Sequence, residues 1–283
     1  MRLLSLSIII LFCFSVNGQT FEYENNFGKF KRTSSFFINP AGVIYVADSS
    51  TDEIYMLDTL GRQIRSIGGY GWRESAFDNP VDVFADALKV FVTDKNNHRI
   101  QRFDKNLNYN FQISTRESSV EDEQFGYPLS AAMSNQGDIF ILDSENQRIV
   151  KFDIFGNFVQ NFAGYDYGDY SLTNPKQIGI SMQNNIFVID ESSILIFDQF
   201  GNGIGRAEGK HDFTAIKIIF NELVVNTDEK IFYANLRNPE LIINEVKLIG
   251  IEEKLEIVSS IVYNNKLYVL TKKQIFVFNR TKN

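Results

Sequence analysis

Four carboxylates recur at the end of one apolar segment in this chain. Asp48 closes Ile44-Tyr-Val-Ala-Asp, Asp94 closes Val90-Phe-Val-Thr-Asp, Asp143 closes Ile139-Phe-Ile-Leu-Asp and Asp190 closes Ile186-Phe-Val-Ile-Asp. Carboxylates gathered in a ring could hold a hard cation, which takes several oxygen ligands. Recurrence in every good copy points instead to a residue that serves each structural unit. Asp94 and Asp143 each have an arginine five positions on, Arg99 and Arg148, as a charge partner. A second set of acids is Asp58, Asp104, Asp153 and Asp198. Three of these open Asp-x-x-Gly segments, and Asp104-Lys-Asn-Leu107 lacks the glycine. Asp side chains accept from nearby backbone N–H groups, so turn chemistry is the expected role of this set.

Other catalytic chemistry is thinly supplied. The chain has two histidines, His98 and His211. That is too few for a three-His zinc site, although a mixed site stays open. There is no Gly-x-Ser-x-Gly nucleophile turn, no His-Glu-x-x-His, no phosphate loop and no dinucleotide fingerprint. The one cysteine, Cys13, lies in an apolar N-terminal run. The rest of the chain can therefore form neither a disulfide nor a thiolate metal site.

Aromatic residues form the third candidate set. Tyr70, Trp72, Phe125, Tyr127, Tyr165, Tyr167 and Tyr170 fall in three long connecting segments, 68–78, 115–127 and 164–170. Arg73 lies beside Trp72, and Glu121-Asp-Glu123 adds acid to the second segment. Tyr and Trp provide rigid contact area at low entropic cost and dominate binding hot spots. Tyr70, Trp72, Arg73, Tyr127, Tyr165 and Tyr167 are the candidate ligand-binding residues, for a protein or a carbohydrate partner. The competing role for the aromatic rings is packing between structural units.

The elements that must position these residues follow from spacing. The four strand-ending aspartates lie 46, 49 and 47 residues apart. A period of 40–50 residues holding several short strands marks a propeller blade. In residues 76–126 four strands read at 81–85, 89–93, 99–103 and 109–113, with turn signals between them. The second is apolar almost throughout, as befits burial on both faces; the third alternates, as an outer strand would. The same reading fits 34–67, 129–162 and 176–207. A fifth unit is degraded, with strands at 215–220, 222–226, 230–234 and 241–246. A sixth has only three, at 257–262, 266–270 and 274–278. The expectation is an all-β, six-bladed propeller with four-stranded blades, in which residues 20–24 supply the missing outer strand of the last blade. That closure removes a sheet edge. The 26 Phe and 12 Tyr suit such pleated, half-buried surfaces. In this topology the second-to-third-strand turns and the blade-to-blade loops share one face, here the upper face. All three aromatic segments lie on it.

Asp94-Lys-Asn-Asn-His-Arg-Ile-Gln-Arg-Phe-Asp104 and Asp143-Ser-Glu-Asn-Gln-Arg-Ile-Val-Lys-Phe-Asp153 resemble the NHL repeat. Asn79-Pro80, Tyr127-Pro128 and Asn174-Pro175 match its proline before the next blade. The resemblance covers residues 44–200. Glu53 stands where the first copy should have Arg, the fourth copy has a shortened turn, and 205–283 keep the strand rhythm without the motif. The resemblance implies a six-bladed propeller and, in most members, a binding scaffold. Some similar propellers are zinc lyases or calcium-binding lactonases, which sets the alternative here: a metal-dependent hydrolase or lyase with its site at the central channel.

The remaining expectations come from the ends and the charge. Met1-Arg2, the apolar run 3–16 and the small residues at Val16 and Gly18 read as a signal peptide over 1–18, leaving a single domain over 19–283. The protein is then exported, to the periplasm, the cell surface or the medium. Phe12 before Cys13 does not suit a lipoprotein signal. The apolar run is too short for a membrane span, which needs ~20 residues. A net charge of −7 argues against nucleic acid as a partner. The sequence reading is thus an exported monomer that binds or scaffolds rather than catalyses. It needs no cofactor, with a divalent cation at the channel as the open alternative.

Overall fold

The computed structural model describes residues 8–10 and 18–281. Six small antiparallel sheets follow one another along the chain. Blade one is Thr33–Ile38, Ile44–Asp48, Glu53–Leu57 and Gln63–Gly68. Blade two is Pro80–Ala85, Lys89–Asp94, Arg99–Asp104 and Tyr109–Ile113. Blade three is Ser130–Met133, Ile139–Asp143, Arg148–Phe152 and Phe158–Phe162, and blade four is Pro175–Ile180, Ile186–Asp190, Ser193–Phe197 and Gly203–Glu208. Blade five is Ala215–Ile219, Glu222–Asn226, Ile231–Asn235 and Asn244–Glu245. Blade six uses Ile257–Tyr263, Lys266–Thr271 and Ile275–Arg280, and Thr20–Phe27 completes it. Each blade's first strand touches the first strands of both neighbours, and blade six meets blade one, so the ring is closed.

The closing strand pairs antiparallel with Ile275–Arg280, with Phe21 opposite Arg280 and Phe27 opposite Ile275. Phe21 is fully buried, so this strand brings core as well as hydrogen bonds. It is not the outermost strand. Lys247–Ile249, from the connection between blades five and six, runs parallel along Thr20–Glu22 and covers its edge. The backbone of Ile8–Ile10 likewise runs parallel to Gly205–Ala207. Two of the six sheets therefore have five strands. The expected fifth-blade strand at 241–246 shrinks to Asn244–Glu245, because the chain leaves that blade to cover the closing strand. The expected signal segment lies, apart from 8–10 and Gly18, outside the described residues.

Burial explains the strand roles. The second strands of blades one, three and four are buried at every position. The third strand of blade two is buried more than its alternation suggests, since Arg99 and Gln101 turn inward. The exposed strand is the fourth, as in Gln63–Gly68 and the alternating Tyr109–Ile113. Aromatic pairs fill the outer wedge between sheets. Phe77 meets Phe103, Phe125 meets Phe152, Phe162 meets Phe197, and Phe213 meets Phe232. In the first two pairs a loop residue packs on the third strand of the blade it enters, which repeats one local device. Such tilted or edge-on pairs add ~0.5–1.5 kcal/mol beyond area burial.

Candidate functional site

The strand-ending aspartates bond inward to the backbone of the chain entering their own blade. Asp48 accepts from the N–H groups of Lys31 and Arg32, Asp94 from Asp78, Asp143 from Gly126, and Asp190 from Thr173 and Asn174. They tie the upper-face crossings down, which is the structural role that recurrence suggested. Among the described residues no group of three or more His, Cys, Asp or Glu is placed to hold a metal ion. The turn aspartates behave alike on the lower face. Asp153 accepts from the Phe155 and Asn157 N–H groups, and Asp198 from those of Phe200 and Asn202. Hydrogen bonds from the Asn157 side chain and backbone hold the Asp153 carboxyl below the usual carboxylate range. In the variant turn Leu107 takes the left-handed conformation that Gly61, Gly156 and Gly201 take in the others.

Two of these aspartates are extended into loop clamps. Arg99 Nε donates to Asp94 Oδ2 at 2.7 Å, and both side chains are buried. Its other nitrogens donate to the carbonyls of Trp72 at 2.7 Å, Ala76 at 2.8 Å and Arg73 at 3.1 Å. One guanidinium thereby fixes the tip of segment 68–78. Arg148 repeats the device more loosely, 3.4 Å from Asp143 and donating to the Gln124 and Glu121 carbonyls. Blade one, with Glu53, and blade four, with its shortened turn, lack it.

The clamps leave the candidate side chains outside. Trp72 is 68% exposed and Tyr165 94%; Tyr70, Arg73, Tyr127 and Tyr167 are exposed as well. Phe125 and Tyr170, which the sequence grouped with them, pack inward. Phe125 is buried on Phe152, and Tyr170 lies against Phe197. The exposed six fall in three groups. Trp72 and Arg73 sit on the Arg99 clamp, and Tyr70 lies just before them in the same loop. Tyr165 and Tyr167 share Ser171, whose hydroxyl accepts from Tyr167 N–H and donates to the Tyr165 carbonyl. Tyr127 stands edge-on to His98 at 4.2 Å with Arg116 over its ring. Among the described residues no ring contact joins one group to another. His98 Nδ1 sits 2.9 Å from both the Tyr127 N–H and Arg116 Nη1. A nitrogen between two donors must be the acceptor of a neutral imidazole. Burial, and then the Arg116 charge, hold the His98 pKa below its ordinary value.

A polar hub on the ring axis was not anticipated. Asp82, on the first strand of blade two, is 2% exposed, and Lys217, on that of blade five, is 4% exposed. Lys217 Nζ lies 2.7 Å from Asp82 Oδ1, 2.9 Å from Ser35 Oγ and 3.4 Å from the Val83 carbonyl, which uses all three ammonium protons. Asp82 also accepts from Ser35 at 2.6 Å, Gln177 at 2.8 Å and Ser130. Blades one to five each contribute one side chain. A buried ion pair is tolerable when hydrogen bonds satisfy its remaining lone pairs and protons, as here. The available signal was one charge inside each of two apolar first strands, Val81-Asp-Val83 and Ile216-Lys-Ile218.

Comparison with known proteins agrees with the architecture. Residues 125–152 match the family model of the NHL repeat. Over 140 residues, 48% of the chain, it is 34% identical to the protein brain tumor of Drosophila melanogaster. Over 139 residues it is 31% identical to the B-box type zinc finger protein ncl-1 of Caenorhabditis elegans. The matched regions amount to 13% and 16% of those two proteins. Among solved structures a streptogramin B lyase superposes with a TM-score of 0.63 at 13% identity, covering 91% of this chain and 97% of the lyase. A virginiamycin B lyase from Staphylococcus aureus superposes at 0.60 with 13% identity, covering 89% and 96%. At such identity the lyases share the fold alone. The chain is a six-bladed β-propeller that carries the NHL repeat.

Proposed function

We propose that this propeller is an exported, monomeric binding module that engages a protein or glycan partner through Tyr70, Trp72, Arg73, Tyr127, Tyr165 and Tyr167. The observation that carries the reading is the combination of a buried clamp and exposed rings in segment 68–78. Arg99 holds three carbonyls of the loop while Trp72 stays in water. Loops that are merely solvated need no such anchor, and a preorganised aromatic surface lowers the entropic cost of association. NHL propellers as scaffolds support the same reading. The channel alternative finds less support, because the buried charges at the middle of the axis, Asp82 and Lys217, are taken up by each other.

The test is a glycan array and an extracellular-protein library, probed in parallel with wild type and Trp72→Ala. Truncating a hot-spot aromatic costs ~2 kcal/mol or more, which is roughly thirtyfold in affinity. The reading expects retention of one ligand class and a roughly thirtyfold loss in the variant, with an unchanged melting temperature. Retention of no glycan or protein, or a variant that binds as wild type does, contradicts it.

A further inference from the structure

A cavity lies on the opposite face, where the channel opens between the first-to-second-strand turns. It has a volume of about 440 Å³. Phe37, Phe84, Ile180 and Ile218 form its inner wall and also border the small space beside Asp82 and Lys217. The hub therefore closes the floor, and the cavity is a cup with one mouth. Leu88, Met182 and Phe220 line it, although each is exposed. A volume of ~300–1,000 Å³ with apolar walls and a few polar groups is the usual form of a small-molecule site.

One charge on the wall is poorly satisfied. The Lys89 ammonium lies 3.8 Å from the Met133 thioether and 3.9 Å from Asp86 Oδ2. Asp86 Oδ1 is taken by the N–H groups of Leu88 and Lys89. Charge-assisted hydrogen bonds run at ~2.7–2.9 Å, so Lys89 retains capacity for a strong acceptor at the cup. Ser134, Asn135 and Gln136 add neutral polar groups. We propose that the lower-face cup binds a small amphipathic carboxylate, its apolar body against Phe37, Phe84 and Ile218 and its carboxylate on Lys89. This site shares no residue with the upper-face surface.

The experiment is calorimetric titration of the full chain with decanoate and, separately, decanol. The proposal expects saturable one-to-one binding of decanoate and about tenfold weaker binding of decanol. Lys89→Met should weaken decanoate about tenfold and leave decanol unchanged, the scale of one charge-assisted hydrogen bond. Met182→Glu places a like charge at an exposed rim position and should weaken decanoate as well, which keeps the test decisive should Lys89→Met fold poorly. Trp72→Ala should change neither, which separates this site from the upper-face reading. No saturable decanoate binding overturns the proposal. So do equal affinities for acid and alcohol, which would make the cup a general apolar socket, and so does decanoate binding indifferent to both cup variants.

Discussion

At the rim of the ring Asp94 and Arg99 form a buried ion pair, and on its axis Asp82 and Lys217 form another. The rim pair joins residues five apart within one blade; the axial pair joins residues 135 apart, from blades two and five. Both are fully hydrogen-bonded, so neither leaves a naked charge in the core. Their mechanical consequences differ. The rim pair holds one loop against one sheet, and its looser copy at Asp143 and Arg148 does the same next door. The axial pair gathers side chains from five blades and has no copy among the described residues. The local clamp recurs in two neighbouring blades, and the hub that spans the ring appears once among the described residues.

The strongest way to break this comparison is at the axis. Asp82→Ala leaves Lys217 buried without its counter-ion, and removing one member of such a pair costs about 3–5 kcal/mol. Urea unfolding should show that loss. Pairing Asp82→Leu with Lys217→Met should restore part of it, since the uncompensated charge is gone while Ser35, Ser130 and Gln177 still lose their acceptor. A loss under ~1 kcal/mol for Asp82→Ala would mean the hub does not tie the ring.

The rim should respond less. Arg99→Met strips Asp94 of its cation but leaves the Asp78 N–H and Asn97 bonded to it. We expect about 2–3 kcal/mol, the scale of a lost charged hydrogen bond. Arg148→Met, at the longer and partly exposed pair, should cost about 1 kcal/mol. Equal costs at the two sites would remove the distinction between the tight clamp and the loose one.

A smaller effect is set by pH. His98 accepts from Arg116 and the Tyr127 N–H only while neutral, and its pKa in the fold lies below its ordinary value. The unfolded chain then binds that proton more readily. This contribution is complete above about pH 6.5, the ordinary histidine value, and is lost as pH falls from there toward the folded value. Melting curves between pH 7 and 5 should fall more steeply for wild type than for His98→Asn, a residue that tolerates the positive φ at this position. Parallel curves would contradict the acceptor role.

The same contrast explains what the sequence made legible. The apolar segments ending in Asp are local periodic signals and read correctly, and counting strands located the closing segment at 20–24, which the structure extends to 20–27 and covers with an outer strand. The rim pair was visible as an Arg five positions after an Asp. The axial hub was not, because Ser35, Asp82, Ser130, Gln177 and Lys217 meet only once the ring closes. The detour of 247–249 onto the closing strand escaped for a related reason: a three-residue strand has no period of its own. Among the loop aromatics, spacing could not separate Phe125, which turns inward, from Trp72, which does not.

Trp72 is the only tryptophan in the chain, which makes the display of upper-face aromatics directly measurable. Intrinsic fluorescence of the native protein, with acrylamide quenching, reports this one ring. The account predicts native emission close in wavelength to that of the unfolded chain and quenching nearly as efficient, because the ring stands 68% exposed on its clamped loop. Blue-shifted native emission that acrylamide barely quenches would put Trp72 into the packing between blades and contradict the binding surface.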